Sequence, residues 1–346
     1  MKRFVFAVPG DLSTPTGGYA YDRRMIAELG SLRWQIDLID LGEGFPYPSD
    51  ATRKAAHERL LAIPGDRIVV VDGLALGVLP KTAQRLNRLL ALVHHPLAVE
   101  SGIDAKQAEK LRTSEQAALS AARHVVVTSS ATAQQLVSYY AVPAELITIV
   151  CPGCDPAPPA QRSQDGTVRL LSVGAVVPRK GYDVLIAALA MLPGLPWSLT
   201  IAGDCTRNPT AAAQLNADIK HHRLSGRVTI LGAVSPQRLG ELYAEADIFA
   251  LASRFEGYGM AYAEAIAHGL PVIGTTAGAI PSTVPPHAGL LVKPDDASVF
   301  AVALRRLICD ASERQRFANA ARAAAEQLPT WPEAAKLFSR TLEALA

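Results

Sequence analysis

The segment richest in chemistry is Ser253-Arg254-Phe255-Glu256-Gly257-Tyr258-Gly259-Met260-Ala261-Tyr262-Ala263-Glu264-Ala265-Ile266-Ala267-His268-Gly269-Leu270-Pro271. It follows an apolar strand, Asp247 to Leu251, and leads into a helix that Gly269 and Pro271 stop. Gly257 and Gly259 leave the amides of the helix start open to close approach. A helix N-terminus with open amides suits an anion, above all a phosphate. Glu256 precedes the helix and Glu264 lies about a turn and a half inside it, too far apart to stack as helical neighbours. They are placed to bracket a ligand across the helix start, and a carboxylate accepting two hydroxyls suits a ribose or a hexose. The plainer alternative is a turn followed by a solvated glutamate.

Three shorter patterns follow predicted strands. Gly174-Ala175-Val176-Val177-Pro178-Arg179-Lys180-Gly181-Tyr182 places adjacent cations in a loop. Arginine grips phosphate oxygens as a fork and lysine acts as a point charge; together they can stabilise charge developing on a departing diphosphate, or they are a solvated surface pair. Pro15-Thr16-Gly17-Gly18-Tyr19 opens a helix after the first strand, as a ligand loop or as a tight turn. The dinucleotide fingerprint G-x-G-x-x-G is missing there, which argues against a dehydrogenase. Val93-His94-His95-Pro96 ends a buried strand. His94 can donate to a sugar hydroxyl or phosphate, transfer a proton, or simply be hydrogen-bonded at a domain edge. No second cluster with ligand spacing accompanies it, so no metal is expected.

These loops need a scaffold of parallel strands. Phe4–Val8, Ile68–Val71, Leu89–Val93 and Val125–Val127 are apolar throughout, as strands covered on both faces are. Helical stretches fall between them at Tyr19–Gly30, Asp50–Ile63, Lys81–Leu86, Ala105–Ala122 and Ala131–Tyr140. Alternation of this kind predicts a doubly wound α/β domain. A proline-dense linker, Cys151–Ala160, follows, and the pattern restarts with strands at Val168–Val173, Ser198–Ala202, Arg227–Leu231, Asp247–Leu251 and Pro271–Gly274. Two tandem α/β domains are therefore expected. Ligands bind such sheets at the carboxyl ends of strands, and the cleft between the two domains is the expected site.

Composition narrows the function classes. Of 346 residues, 49% are apolar and 19% charged, a globular composition and not a disordered one. With 34 basic and 32 acidic residues, and sixteen of each within residues 1–155, there is no basic excess for nucleic acid. Four cysteines do not make a disulfide framework. Cys151-Pro152-Gly153-Cys154 lacks the following helix that would lower a thiol pKa, so neither redox chemistry nor zinc is expected. The N-terminal apolar run is too short for a signal peptide, and a cytoplasmic location is expected. Val184 to Gly203 is uncharged over twenty residues, but Pro193, Gly194 and Pro196 divide it into helix, turn and strand. Lys81, Arg85 and Arg88 have helical spacing, giving either a solvated face or a weak peripheral contact with anionic lipid at the inner face of the membrane.

With these residues in place, the chain resembles a family 4 glycosyltransferase of the GT-B fold: two Rossmann-like doubly wound domains facing across a cleft. The resemblance runs over nearly the whole chain and is densest from Val168 to Val284. Its most specific part is Glu256 through Glu264 within S-x-x-E-G-Y-G-x-x-x-x-E-A-x-A-x-G-x-P. Arg179-Lys180-Gly181, Ala202-Gly203-Asp204, Arg227-Val228 with Leu231-Gly232, and Tyr243-Ala244-Glu245-Ala246-Asp247 keep the family's order and spacing. The resemblance implies an acceptor domain over 1–155, joined by a returning helix at 331–346, and a nucleotide-sugar domain over 166–330.

It further implies retaining, metal-independent transfer of a hexose from a nucleotide diphosphate sugar, UDP- or GDP-linked, to a hydroxyl of a glycan, a lipid-linked sugar or a small metabolite. Glu264 would hold the ribose and Glu256 the transferred sugar. Arg179 and Lys180, in the loop opened by Gly174, would hold the diphosphate with the amides near Gly257, Gly259, Met260 and Ala261. Gly17 and Gly18 would close over the donor phosphates, and His94 would contact the donor sugar. No cofactor is implied, and the base, sugar, acceptor and oligomeric state are not encoded legibly. The family's G-G-I-P-E reads Ala277-Gly278-Ala279-Ile280-Pro281-Ser282, its P-P-G-V-D reads Cys151-Pro152-Gly153-Cys154-Asp155, and Tyr258 replaces a phenylalanine. Rival readings are a GT-B sugar phosphorylase, a nucleotide-sugar epimerase and a non-catalytic nucleotide-sugar-binding protein.

Overall fold

The structure, a computed structural model, describes residues 2–100, 102–161 and 166–346. The chain divides into two compact units, Met1–Gly153 with Pro329–Ala346, and Cys154–Leu328. The division falls two residues before the expected end at 155, inside the proline-dense linker, and the return begins at Pro329.

The first unit runs β1 (Arg3–Val8), α1 (Gly17–Ser31), β2 (Gln35–Asp40), α2 (Asp50–Leu61), β3 (Ile68–Asp72), α3 (Gly73–Leu76), α4 (Pro80–Ala83), β4 (Leu89–Val93), α5 (Ala105–Leu119), β5 (His124–Val127), α6 (Ser130–Tyr140) and β6 (Ile147–Ile149). All pairings are parallel, in the order β2-β1-β3-β4-β5-β6. β3 and β4 are buried at every residue, as uninterrupted apolar runs require. The edge strand β2, QIDLID, has no fully buried residue and mixes polar with apolar side chains, so a search for wholly apolar runs passes over it.

The second unit runs β7 (Val168–Val173), α7 (Tyr182–Ala190), β8 (Trp197–Ala202), α8 (Pro209–His221), β9 (Val228–Gly232), α9 (Pro236–Glu245), β10 (Ile248–Ala250), α10 (Met260–Ala267), β11 (Val272–Thr275), α11 (Ile280–Thr283), β12 (Gly289–Val292), α12 (Ala297–Cys309) and α13 (Ala311–Ala325). Its sheet is also parallel, ordered β12-β11-β10-β7-β8-β9. Trp197, Phe249, Tyr262 and Phe300 fill its core. The uncharged stretch from Val184 resolves into most of α7, a proline turn and β8, and no helix among the described residues is long and apolar enough to cross a membrane.

The last helix, α14 (Trp331–Leu345), belongs to the first unit. Thr330 and Glu333 form a capping box at its start. Trp331 packs against Tyr21 with ring centroids 5.8 Å apart, and the Trp34 indole donates to Ser339 at 2.9 Å.

One expectation is corrected. The helix predicted over Lys81–Leu86 ends at Ala83, so Lys81, Arg85 and Arg88 do not share a helical face. The short α4 begins at a proline and Gln84 caps it, while Arg88 turns to the carbonyl of Ala346 at 2.8 Å. The basic stripe that suggested lipid contact does not form.

Candidate active site

In both sheets the strand order reverses beside the first strand of the unit, β1 against β3 and β7 against β10. Loops leaving the carboxyl ends of such a pair diverge and open a crevice for ligand. The candidate residues collect at these two places.

In the second unit, Arg179 and Lys180 lie on a 3-10 turn, Pro178–Lys180, after β7, and Glu256 follows β10. Lys180 Nζ donates to Glu256 Oε1 at 2.7 Å, Arg179 donates to Oε2 at 3.3 Å and to the Phe255 carbonyl at 2.7 Å, and Ser253 Oγ donates to Oε1 at 2.6 Å. Burial of Glu256 on its own would raise its pKa, but the two cations and the hydrogen bonds from Lys180 and Ser253 hold it down at about 2. The cluster sets two cations around one buried carboxylate.

The surroundings fix this arrangement. Gly181 sits in the left-handed region (φ 64°), where a side chain would meet the Ala252 carbonyl, so only glycine lets the 178–180 turn approach the end of β10. Arg254 donates through its backbone to Arg179 O at 2.7 Å, and its guanidinium binds Pro178 O, Asp183 and Asp295. From the other side, Ala279 N donates to Glu256 O at 2.9 Å, and a side chain on Gly278 would collide with that same oxygen. The stretch Ala277–Ser282, where the sequence departs from the family pattern, thus clamps the Glu256 backbone, while Ser282 itself is exposed on α11.

Gly259 is the N-cap of α10 and supplies no side-chain hydrogen bond, so the amides at Met260 and Ala261 stand at an uncapped positive helix end. Glu264, on the same helix, accepts from the Tyr243 hydroxyl at 2.8 Å. Burial raises its pKa to about 7, with Asp155 adding to the effect and the Tyr243 bond and Lys180 opposing it. Tyr243 is in turn stacked on His268, 5.2 Å between centroids. Gly174, with φ 154°, lies so close to Lys180 that an added Cβ would stand 2.9 Å from Cε.

In the first unit, Gly17 and Gly18 form the first turn of α1, capped by Thr16, whose Oγ1 accepts from Tyr19 N at 3.1 Å. Gly18 is set against the His94 ring: an added Cβ would lie 3.2 Å from Cδ2. His94 directly follows β4, and its Nε2 lies 3.1 Å from Asp22 Oδ1 and 3.5 Å from Asp72 Oδ2. Asp22 is wholly buried on α1, and Asp72, at the end of β3, caps α3 through Leu74 N. Burial disfavours charge on His94, but attraction to Asp22 and Asp72 outweighs it and lifts the pKa to about 10. The ligating atoms of these three residues fall within 4.8 Å of one another, close enough for a metal ion. Nε2 and Oδ1 also lie at a hydrogen-bond distance of 3.1 Å from each other.

Sequence reasoning missed Asp22, Asp72, Ser253, Tyr243 and Arg254 as members of these clusters. Asp72 alone carried a signal, an aspartate ending an all-apolar strand ahead of a glycine. Cys151 and Cys154 are free thiols, and burial raises the pKa of both, that of Cys154 to about 12.

Residues 156–324 match the family model described as glycosyl transferases group 1. This stretch of the second unit is therefore similar to the group 1 glycosyltransferases. Among curated relatives it is similar to a D-inositol 3-phosphate glycosyltransferase of Xylanimonas cellulosilytica, 31% identical over 64% of this chain and 57% of the relative. It is also similar to an MMP alpha-(1->4)-mannosyltransferase of Mycolicibacterium hassiacum, 26% identical over 88% of this chain and 78% of the relative. The chain spans 57% of the first of these and 51% of its Nocardia farcinica counterpart, about half their length. In fold it resembles sucrose-phosphate synthase from Thermosynechococcus elongatus, with a TM-score of 0.82, 22% identity and 99% coverage of both chains. Anabaena HepE in complex with UDP and glucose superposes with a TM-score of 0.79 at 20% identity, over 98% of this chain and 99% of that one. The chain thus has the GT-B fold, with two Rossmann-like units, each built on a six-stranded parallel sheet.

Proposed function

We propose that the protein is a retaining, metal-independent glycosyltransferase that moves a hexose from a nucleotide diphosphate sugar, UDP- or GDP-linked, to an acceptor hydroxyl on a glycan, a lipid-linked sugar or a small metabolite. The observation that carries this reading is the Glu256 cluster: one carboxylate, two cations and the uncapped start of α10 at the strand-order reversal of the second unit. Its two cations and open amides suit a diphosphate. Glu264, ionised above about pH 7, suits two ribose hydroxyls.

In the reaction, the bond between the anomeric carbon and the diphosphate oxygen breaks and the acceptor oxygen bonds to that carbon on the same face. The leaving phosphate takes the acceptor's proton, and Arg179, Lys180 and the α10 amides stabilise the anion as it forms. Glu256 keeps the cations in place and accepts hydroxyls of the transferred sugar. Gly17 and Gly18 cover the donor phosphates, His94 contacts the donor sugar, and the acceptor sits mainly on the first unit. No resident cofactor is needed, and the protein works in the cytoplasm.

Thermal unfolding with UDP, GDP and ADP, each without added metal, tests the donor class. A ligand at about 100 times its Kd adds about 2.7 kcal/mol to stability, a readable shift. One nucleotide acting alone identifies the donor; no shift with any of them overturns the reading. Demand for inorganic phosphate would indicate a phosphorylase, and turnover without an acceptor an epimerase.

A further inference from the structure

We propose that Asp22 is a positioning residue: with Asp72 it grips Nε2 of His94 and keeps the imidazole a cation, so that Nδ1–H is a fixed hydrogen-bond donor. Asp22 and Asp72 are 0% and 2% exposed, come from α1 and the end of β3, and converge on one ring nitrogen at 3.1 and 3.5 Å. Two carboxylates this deeply buried are costly unless a positive group lies between them. Nε2 must carry a hydrogen to satisfy either. Asp22 Oδ2 is buried with no hydrogen-bond partner among the described residues, so Asp22 depends on His94 for its compensation.

The remaining surroundings of the ring add no competing charge. Tyr21 meets it edge-on at 5.3 Å, Gly18 packs on its Cδ2 side, and Thr128 Oγ1 donates to the His94 carbonyl at 3.1 Å. The neighbouring His95 pairs instead with Glu100 at 3.2 Å. The His94 side chain keeps 18% of its surface, and Nδ1 has no hydrogen-bond partner among the described residues. The ring is therefore anchored through one nitrogen and open at the other. Donation from Nδ1 to a hydroxyl or phosphate oxygen of the sugar donor rests on the transfer reaction proposed above; the charge on the ring does not.

The test is the titration of the full chain labelled with 13C at histidine Cε1. Of eight histidines, His94 is assigned by the resonance lost in His94→Gln. The wild-type His94 signal is expected to keep its imidazolium shift from pH 6 to 9, and Asp22→Asn to lower its midpoint by two units or more. A wild-type midpoint near the ordinary 6.5, or one unmoved by Asp22→Asn, overturns the proposal without any need for a variant that turns over. So does loss of the His94 signal on adding stoichiometric zinc at neutral pH, which would make the cluster a metal site.

In the transfer assay, Asp22→Asn is expected to bring the alkaline limb of kcat/KM down by the same two units, while the Kd for UDP or GDP stays unchanged. A shifted titration with an unshifted rate profile would leave the charge assignment standing and remove His94 from the reaction. Aspartate rescue is checked in the double exchange Asp22→Asn with Asp72→Asn, which is expected to return His94 to an ordinary titration.

Discussion

The two units hold mirror-image charge clusters. In the second, one carboxylate, Glu256, is gripped by two cations from a single three-residue turn. In the first, one cation, His94, is gripped by two carboxylates from separate elements. Each partner set drives the central group deeper into its charged form, Glu256 down to about 2 and His94 up to about 10. The clusters differ in exposure. In the first, both carboxylates are buried, and burial together with Asp72 raises the Asp22 pKa to about 7. In the second, the two cations keep 14% and 17% of their surface. Buried carboxylates can only set the state of their own cluster; cations with surface left can reach an anion.

The largest expected effect comes from breaking the cationic side. Lys180→Met leaves Glu256 buried with a weakened counter-charge, and loss of one partner from such a pair costs about 3–5 kcal/mol; calorimetry should show the second unit melting earlier while the first holds. Glu256→Gln keeps the shape but not the charge, and a fall in turnover of about 10²-fold is expected with nucleotide affinity preserved. Unchanged turnover would deny Glu256 a part in transfer.

A smaller effect separates Glu264 from Glu256. Because burial has raised Glu264 to about 7 and ribose hydroxyls need the ionised form, nucleotide affinity should weaken below pH 7, by up to about tenfold per pH unit. Glu256, ionised down to about 2, contributes no such dependence in that range. Isothermal titration at pH 6, 7 and 8 decides between them. Tyr243→Phe removes the hydroxyl that favours ionised Glu264; a loss of about 1 kcal/mol, a few-fold in affinity, should appear with the pH midpoint moved upward.

Stability against pH sharpens the same contrast. The Glu256 pKa is lowered on folding, so its contribution is full above the ordinary carboxylate range and is lost as pH falls toward 2. That of His94 is raised, so its contribution is full below about 6.5 and is lost as pH rises through 10. Acid should therefore weaken the second unit through Glu256, and alkali the first through His94.

The sequence made the second cluster more legible than the first. Arg179, Lys180 and Glu256 stand in glycine-punctuated loops directly after apolar strands, where a charged residue has little structural reason to be. Asp22 sits mid-helix among Tyr21, Arg23 and Arg24 and reads as an ordinary polar position; only the fold, across 72 residues, turns it onto His94. Ser253 and Tyr243 are equally quiet, each useful only through a hydroxyl aimed at a glutamate. The central strands were readable because burial on both faces demands continuous apolar runs, whereas β2 mixes polar with apolar residues and β6 has three residues. Lys81, Arg85 and Arg88 show the opposite error, a helical period with no helix to carry it.

The return of the chain into the first unit has a consequence for how the molecule is made. Gly153 lies against the backbone of Thr330 and Trp331, so the polypeptide leaves and re-enters that unit at one point. The Cys154–Leu328 unit is in effect a guest inserted in a host, and short gaps of this kind cost little to close. During synthesis the guest is complete when residue 328 emerges, while the host still lacks the helix that covers Tyr21 and Trp34. The half that starts first therefore finishes last, and an early stop within α14 would strand a folded guest on an unfinished host.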